Sequence, residues 1–346
     1  MVVGGGTPDT NNHKYWNGDI QWFTPSEIGR DKYVTNSLRT ISEEGLNKSS
    51  AKLLPIGTIL LSSRATVGEC SINKVECTTN QGFQSLIPKE YFSKEFVFYL
   101  MQTKRKELIR KSCGSTFLEI SANEVRKIKI AVPTSKEQEK ISKLLALLDE
   151  RITTQNKIIE KLQSLIKGIR ARLTQQVGGD FVYLSEIAQI YQPQTISLSE
   201  LTKEGYLVYG ANGVIGKYRE YNHQTEQICI TCRGNTCGVV NYTQPKSWIT
   251  GNAMVINTND FKEKVFKRYL YHYLSAYNFN RIISGSGQPQ IVRSPLEKLR
   301  IALPTMQQQK NIATFLDKLQ NQIEINNNIL HLYLQQKQYL FRQMFI

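Results

Sequence analysis

The sequence predicts a mixed α/β (α+β) chain. Two similar globular domains are each followed by a long helix, and the two helices pair as an antiparallel coiled coil. Three observations predict it. First, I-A-V-P-T-S-K-E-Q-E-K-I-S-K-L-L (130–145) returns as I-A-L-P-T-M-Q-Q-Q-K-N-I-A-T-F-L (301–316), identical at seven of sixteen positions without a gap. Second, a helix-start signal and then a heptad of apolar residues follow the shared Pro-Thr in both copies. Third, the stretch before each copy reads as short strands and turns with one helix. An offset of 171 residues is far beyond the roughly 20–50 residues of a solenoid repeat. It is the length of a domain plus a helix.

The elements follow in order. In residues 1–132 the runs G-T-I-L-L-S-S-R (57–64) and F-Q-S-L-I-P (83–88) carry the apolar and β-branched residues of strands. K-E-F-V-F-Y-L-M-Q-T-K-R-K-E-L-I-R-K (94–111) reads as a helix. Residues 178–303 repeat this order, with strands at 227–234 and 253–257 and a helix at 265–274. The long helices occupy 133–177 and 304–346. Thr134 with Glu137, and Thr305 with Gln308, form the Thr-x-x-Glu/Gln capping box, in which side chain and backbone satisfy each other's free groups at a helix start. The proline before each cap disfavours helix upstream.

The first seam runs Ile141, Leu145, Leu148, Ile152, Gln155, Ile159, Leu162, Ile166, Ile169, Leu173. The second runs Ile312, Leu316, Leu319, Ile323, Asn326, Leu330, then Tyr333, Lys337, Leu340, Met344. Steps of four and three are the coiled-coil period. Gln155 and Asn326 hold the same repeat position. A buried amide lowers stability but selects register. Antiparallel pairing centred on these amides sets Ile141 near Leu340 and Ile169 near Ile312, with both amides within one layer. Lys337 interrupts the second seam and is expected to extend its stem past it toward solvent.

The net charge of +15 points to a polyanionic partner, since lysines and arginines gain affinity by releasing counterions from phosphate. No run of about 18 apolar residues marks a membrane span. The N-terminus lacks the basic and apolar regions of a secretory signal, so the expected location is the cytoplasm. Six cysteines include the Cys229-x-x-Cys232 spacing with Cys237 nearby. No histidine lies close, and Cys229 sits in an apolar run, so small buried hydrophobes are the expected role rather than zinc ligands.

Motifs for chemistry are missing. No D/N-P-P-Y/F tetrapeptide for amino methylation occurs, and no dinucleotide fingerprint follows a strand. A-N-G-V-I-G-K-Y (211–218) departs from the phosphate-loop pattern at Ala211 and Tyr218. Catalysis by the chain itself is not expected, and no cofactor or metal site is read in it. What remains is polar groups on matched turns. Arg64 and Arg233 follow equivalent strands, with Thr66, Asn235 and Thr236 beside them. Asn80 and Gln81 precede Gly82, and the matching Thr250-Gly251-Asn252-Ala253 offers Asn252. The loops at 112–120 and 283–291 offer Ser115, Thr116, Ser286 and Gln288. Arginine reads guanine edges and clamps phosphates, and side-chain amides pair with adenine. Asn and Gly also populate tight turns for purely local reasons. Y-W-N-G-D-I-Q-W-F-T-P (15–25) holds two of the three tryptophans, either as a packed opening segment or as a groove-facing loop.

Taken together, the G-G-G-T-P…Y-W-N-G-D-I-Q-W opening, the G-S-G-Q-P-Q-I…L-x-x-L-R-I-A-L-P block (Gly285 to Pro304) and the heptad helix after each P-T resemble the specificity subunits of type I restriction–modification systems. The resemblance covers nearly the whole chain. It implies two target-recognition domains held apart by the helix pair, each reading half of a split, asymmetric sequence in double-stranded DNA. It implies a non-catalytic subunit that binds two modification subunits, which methylate adenine N6 with S-adenosylmethionine, and restriction subunits that use ATP and Mg. A stand-alone DNA-binding or adaptor protein of the same fold is the alternative. One departure stands out. F-V-Y-L-S-E-I-A-Q-I-Y (181–191) precedes the opening loop of the second domain, whereas the first begins almost directly at Gly4. Either a start further upstream or a trimmed first domain would account for it.

Overall fold

The structure, a computed structural model, describes all residues but 115–117, 177, 212, 286 and 346, and the side chains of all but these and 174–176. The chain divides into two compact units. One is Met1–Thr154 with Leu330–Ile346, and the other is Gln155–Ile329. The division cuts both long helices, so each unit contains a stretch of each.

In the first unit the chain forms β1 (Val2–Gly4), β2 (Trp16–Phe23), β3 (Tyr33–Val34), β4 (Arg39–Ile41), α1 (Glu43–Asn47), β5 (Ile59–Leu61), β6 (Cys70–Asn73), β7 (Cys77–Thr79), β8 (Gln84–Leu86), α2 (Lys94–Arg110), α3 (Ala122–Arg126) and the start of α4 (Ser135–Gln176). Among the described residues the strands make a five-stranded sheet, β1-β8-β5-β6-β3, and a three-stranded one, β4-β2-β7. Burial explains α2. Phe96, Val97, Phe98, Tyr99, Leu100, Met101 and Leu108 are buried, packed with Ile59, Leu61 and Ile72 of the larger sheet. Its start is capped by Ser93, whose hydroxyl accepts from the Phe96 amide at 3.3 Å. The tryptophan-rich opening packs inward. Trp16 and Trp22 are buried edge to face at 5.1 Å, and their indole N–H groups donate to the Asp9 and Gly6 carbonyls at 3.0 and 2.9 Å.

The second unit takes the rest of α4, then β9 (Asp180–Tyr183), β10 (Gln189–Tyr191), β11 (Tyr206–Gly210), β12 (Gly213–Tyr218), β13 (Ile228–Thr231), β14 (Val240–Tyr242), β15 (Trp248–Ile249), β16 (Ala253–Asn257), α5 (Lys267–Ala276), α6 (Arg293–Glu297), β17 (Arg300–Leu303) and the start of α7 (Met306–Met344). Its described sheets are β10-β16-β13-β14, β12-β11-β15 and β17-β9. The phosphate-loop look-alike at 211–218 is largely strand β12, antiparallel to β11. The β9–β17 pair seats Ile301 fully buried, whereas its repeat counterpart Ile130 lies outside any strand and is 40% exposed. Cys229 and Cys232 are buried with free thiols, and burial pushes Cys229 up to about 12. Among the described residues no three His, Cys, Asp or Glu side chains gather as a metal site, and no helix is long and apolar enough to cross a membrane.

Both capping boxes form. The Thr134 amide donates to Glu137 Oε2 at 3.0 Å and the Glu137 amide to Thr134 Oγ1 at 3.4 Å. The Thr305 amide donates to Gln308 Oε1 at 3.1 Å, with the return bond at 3.4 Å. The seam positions lie inward. Leu145, Leu148, Gln155, Ile159, Ile166, Leu173, Leu316 and Asn326 are buried, and Ile141, Ile152, Leu162, Ile169, Ile312, Leu319, Ile323 and Leu330 are half-buried. Ile141 shares a cluster with Leu340 in the first unit, and Ile169 with Ile312 in the second. Gln155 Nε2 donates to the Asn326 carbonyl at 3.1 Å and to its side-chain oxygen. Lys337 departs from expectation. Its ammonium stays inside and donates to Asp149 Oδ1 at 2.6 Å, because Asp149, which also accepts from the Tyr99 hydroxyl at 2.8 Å, supplies a local anion.

Candidate nucleic-acid interface

In the first unit, three loops are tied together at one end of the larger sheet. The Ser63 amide donates to the Gly82 carbonyl at 2.8 Å, and the Ile120 amide to the Ser63 carbonyl at 3.0 Å. This brings the Arg64 turn, the 80–82 turn and the segment entering Ile120 side by side. Ile120 is fully buried and anchors the assembly. In the second unit the Cys232 amide donates to the Asn252 carbonyl at 3.0 Å, and the Ile291 amide to the Cys232 carbonyl at 3.0 Å. The two ladders are the same construction.

The turns match in detail. Ala65 follows Arg64 in the left-handed region at φ 57°, and Gly234 follows Arg233 at φ 81°. Cys113 and Glu119 exchange backbone bonds at 2.9 and 2.9 Å, and Ser284 and Gln290 do so at 2.9 and 2.8 Å. Gly114 and Gly285 occupy positive φ just inside those pairs, which only glycine takes without strain. One sequence match shifts. The ladder sets Gly82, not Gln81, opposite Asn252, so Gln81 corresponds to Gly251. The connecting turns differ in length, which moves the match by one residue.

The candidates fall as follows. Arg64, Thr66, Gln81, Arg233, Asn235 and Gln288 are exposed, and Asn80, Thr236 and Asn252 are half-buried. Several serve the loops themselves. Asn80 Oδ1 accepts from the Gly82 amide at 2.9 Å, an Asx turn. Thr66 donates to Ser62 Oγ at 3.1 Å, Thr236 donates to the Ala211 carbonyl, and Gln81 Oε1 accepts from Thr7 Oγ1 at 2.5 Å. Ser115, Thr116 and Ser286 lie outside the described residues.

Three features escaped the sequence reading. Glu119 pairs with Arg64, Oε2 to Nε, at 2.8 Å. The C-terminal half of α2 carries Lys104, Arg105, Lys106 and Arg110. It reaches the Arg64 turn, since Arg105 bonds Glu69 at 2.8 Å and packs on Gly68. A basic surface beside a polar turn is a footprint for a phosphate backbone. Gln138 and Gln309, both buried, are identical in the repeat and clamp each long helix to its domain. Gln138 accepts from the Ser93 amide at 2.9 Å and donates to Tyr91 O and Pro133 O at 3.4 and 3.0 Å. Gln309 accepts from the Phe266 amide at 2.8 Å and donates to Lys264 O and Pro304 O at 3.2 and 2.9 Å.

A polar cluster around buried His272 joins α5 to the helix pair in the second unit. His272 Nε2–H donates to Asp317 Oδ1 at 2.8 Å, its Nδ1 faces Arg170 Nη2 at 3.0 Å, and Arg268 pairs with Asp317. Burial, joined by Arg170, holds His272 neutral, with its pKa lowered to about 4 against the Asp317 contact.

Duplicated loop clusters on a repeated α/β scaffold, in a chain of net charge +15, define a two-domain nucleic-acid recognition protein. The profile of the type I restriction modification DNA specificity domain matches residues 2–164 and again 177–332. The chain belongs to that family, and as a specificity chain it selects DNA and is not itself an enzyme. It is 37% identical over 194 residues to the type I restriction enzyme MjaIX specificity subunit of Methanocaldococcus jannaschii, an alignment spanning 54% of this chain and 45% of that one. It is 27% identical over 340 residues to the EcoprrI specificity subunit of Escherichia coli, spanning 91% and 84%. The fold is shared with the crystal structure of the S subunit from M. genitalium at a TM-score of 0.67 and 16% identity, covering 98% and 99% of the two chains.

Proposed function

We propose that the chain reads a bipartite, asymmetric sequence in double-stranded DNA, one half-site per domain, and positions two adenine-N6 methyltransferase subunits on it. Restriction subunits join the same assembly. S-adenosylmethionine belongs to the modification subunits, and ATP and Mg to the restriction subunits. The observation that carries this reading is the matched pair of backbone ladders with unlike side chains. Gly82, Ser63 and Glu119 stand where Asn252, Cys232 and Gln290 stand in the other domain. One scaffold presenting two sets of polar groups suits two different half-sites. Single-molecule mapping of methylated adenines in cells carrying the chain with its modification subunit tests it. The expected result is one split motif with two unlike halves. Methylation at a continuous or palindromic motif, or none that depends on this chain, would refute the reading and favour a stand-alone adaptor.

A further inference from the structure

A carboxylate among DNA-facing loops of a basic chain is repelled by phosphate, so Glu119 needs a reason to be there. Its pairing with Arg64 is specific about atoms. The carboxylate approaches closest at Nε, at 2.8 Å. Neither Nη group of Arg64 makes a hydrogen bond to a described residue, and its side chain is 46% exposed. Those two groups form the edge that donates in parallel to O6 and N7 of guanine. The carboxylate is itself held. The Glu119 backbone is fixed by its two bonds to Cys113, and the next residue, Ile120, is tied to Ser63, the neighbour of Arg64. In the second unit the bridge partner of Arg233 is Gln290, which is neutral, and no carboxylate pairs with Arg233 among the described residues.

We propose that Glu119 is a positioning residue that turns Arg64 into a guanine reader, so that the half-site of the first domain contains a guanine required more strictly than any base read by Arg233. The inference rests on the DNA-reading function above and adds the base and the residue pair. An exposed ion pair adds little to stability, so its effect belongs in selectivity. Glu119 narrows the orientations of Arg64 before DNA arrives, which lowers the ordering cost of the bidentate contact.

The test is selection from a randomised duplex pool by the full chain, sequencing what binds. For wild type, one position of the first half-site should be nearly invariant guanine. Glu119→Gln should cut discrimination at that position about tenfold and leave the other half-site unchanged. Arg64→Lys should keep binding but lose the guanine preference, and Gln290→Glu should sharpen guanine selection in the second half-site. Glu119→Gln variants that retain full guanine preference, or that bind all sequences equally less well, would overturn the proposal. So would an Arg64→Lys chain that still selects guanine. A wild-type chain that selects no split motif would instead sink the DNA-reading function itself. Gln290→Glu is a gain of selectivity, which misfolding cannot mimic.

Discussion

Gln155 hydrogen-bonds Asn326, and the two are 171 residues apart, the offset of the repeat itself. Each amide therefore meets its own counterpart. Asn326 Nδ2 is further tied to the Gln322 carbonyl at 2.6 Å. Replacing one amide strands the other in an apolar layer. Gln155→Leu or Asn326→Leu alone should cost about 1–3 kcal/mol, while the double replacement should recover most of it. Denaturant unfolding of the four chains gives the coupling. Additive losses would mean that the pair is not a unit.

The glutamine clamps predict a local loss of order. Gln138→Ala removes three part-buried hydrogen bonds at once, those to the Ser93 amide and to the Tyr91 and Pro133 carbonyls. The expected loss is about 2–4 kcal/mol. Hydrogen exchange should rise at the start of α2 and of α4. The matching change, Gln309→Ala, should loosen the start of α5 and of α7 instead.

Acid should weaken the second unit. Burial lowers both His223 and His272 to about 4 from the ordinary 6.5. Between those values the unfolded chain binds protons that the folded chain refuses, so stability is full above about 6.5 and declines as pH falls toward 4. Unfolding midpoints at pH 7 and pH 5 should differ, and His272→Gln should flatten the difference even if it lowers both. An unchanged pH slope in that variant would contradict the account.

Exchanging residues 1–130 for the equivalent stretch of a relative should change one half-site of the methylated motif and preserve the other. Arg233→Ala in the same chain should weaken only the half that was preserved. A change in both halves on either substitution would show that the domains do not read independently.

The parts legible in the sequence are those governed by local rules. The heptads, the Pro-Thr caps and the paired amides follow from residue types at fixed spacing. The tryptophan segment was ambiguous because burial of Trp16 and Trp22 depends on carbonyls at Asp9 and Gly6 that no pattern reveals. The shift that sets Gly82 against Asn252 escaped because turns of unequal length hide where the scaffold resumes. The Arg64–Glu119 pair joins residues 55 apart through a loop with no periodicity. Gln138 and Gln309 did leave a signal. They are polar residues shared by two copies within a block that otherwise shares apolar and capping residues. The basic face of α2 was visible as a run of charge, but its approach to the Arg64 turn was not.

The ladders that gather the candidate loops are made entirely of main-chain groups, from Ser63 to Gly82 and Ile120, and from Cys232 to Asn252 and Ile291. At Ser63, Gly82, Cys232 and Asn252 these bonds involve no side chain, while buried Ile120 and Ile291 anchor each ladder from below. Mutation can therefore redraft the chemical text presented to a target while the geometry of presentation is inherited unaltered. In this molecule the freedom to acquire new preferences is a property of its peptide bonds.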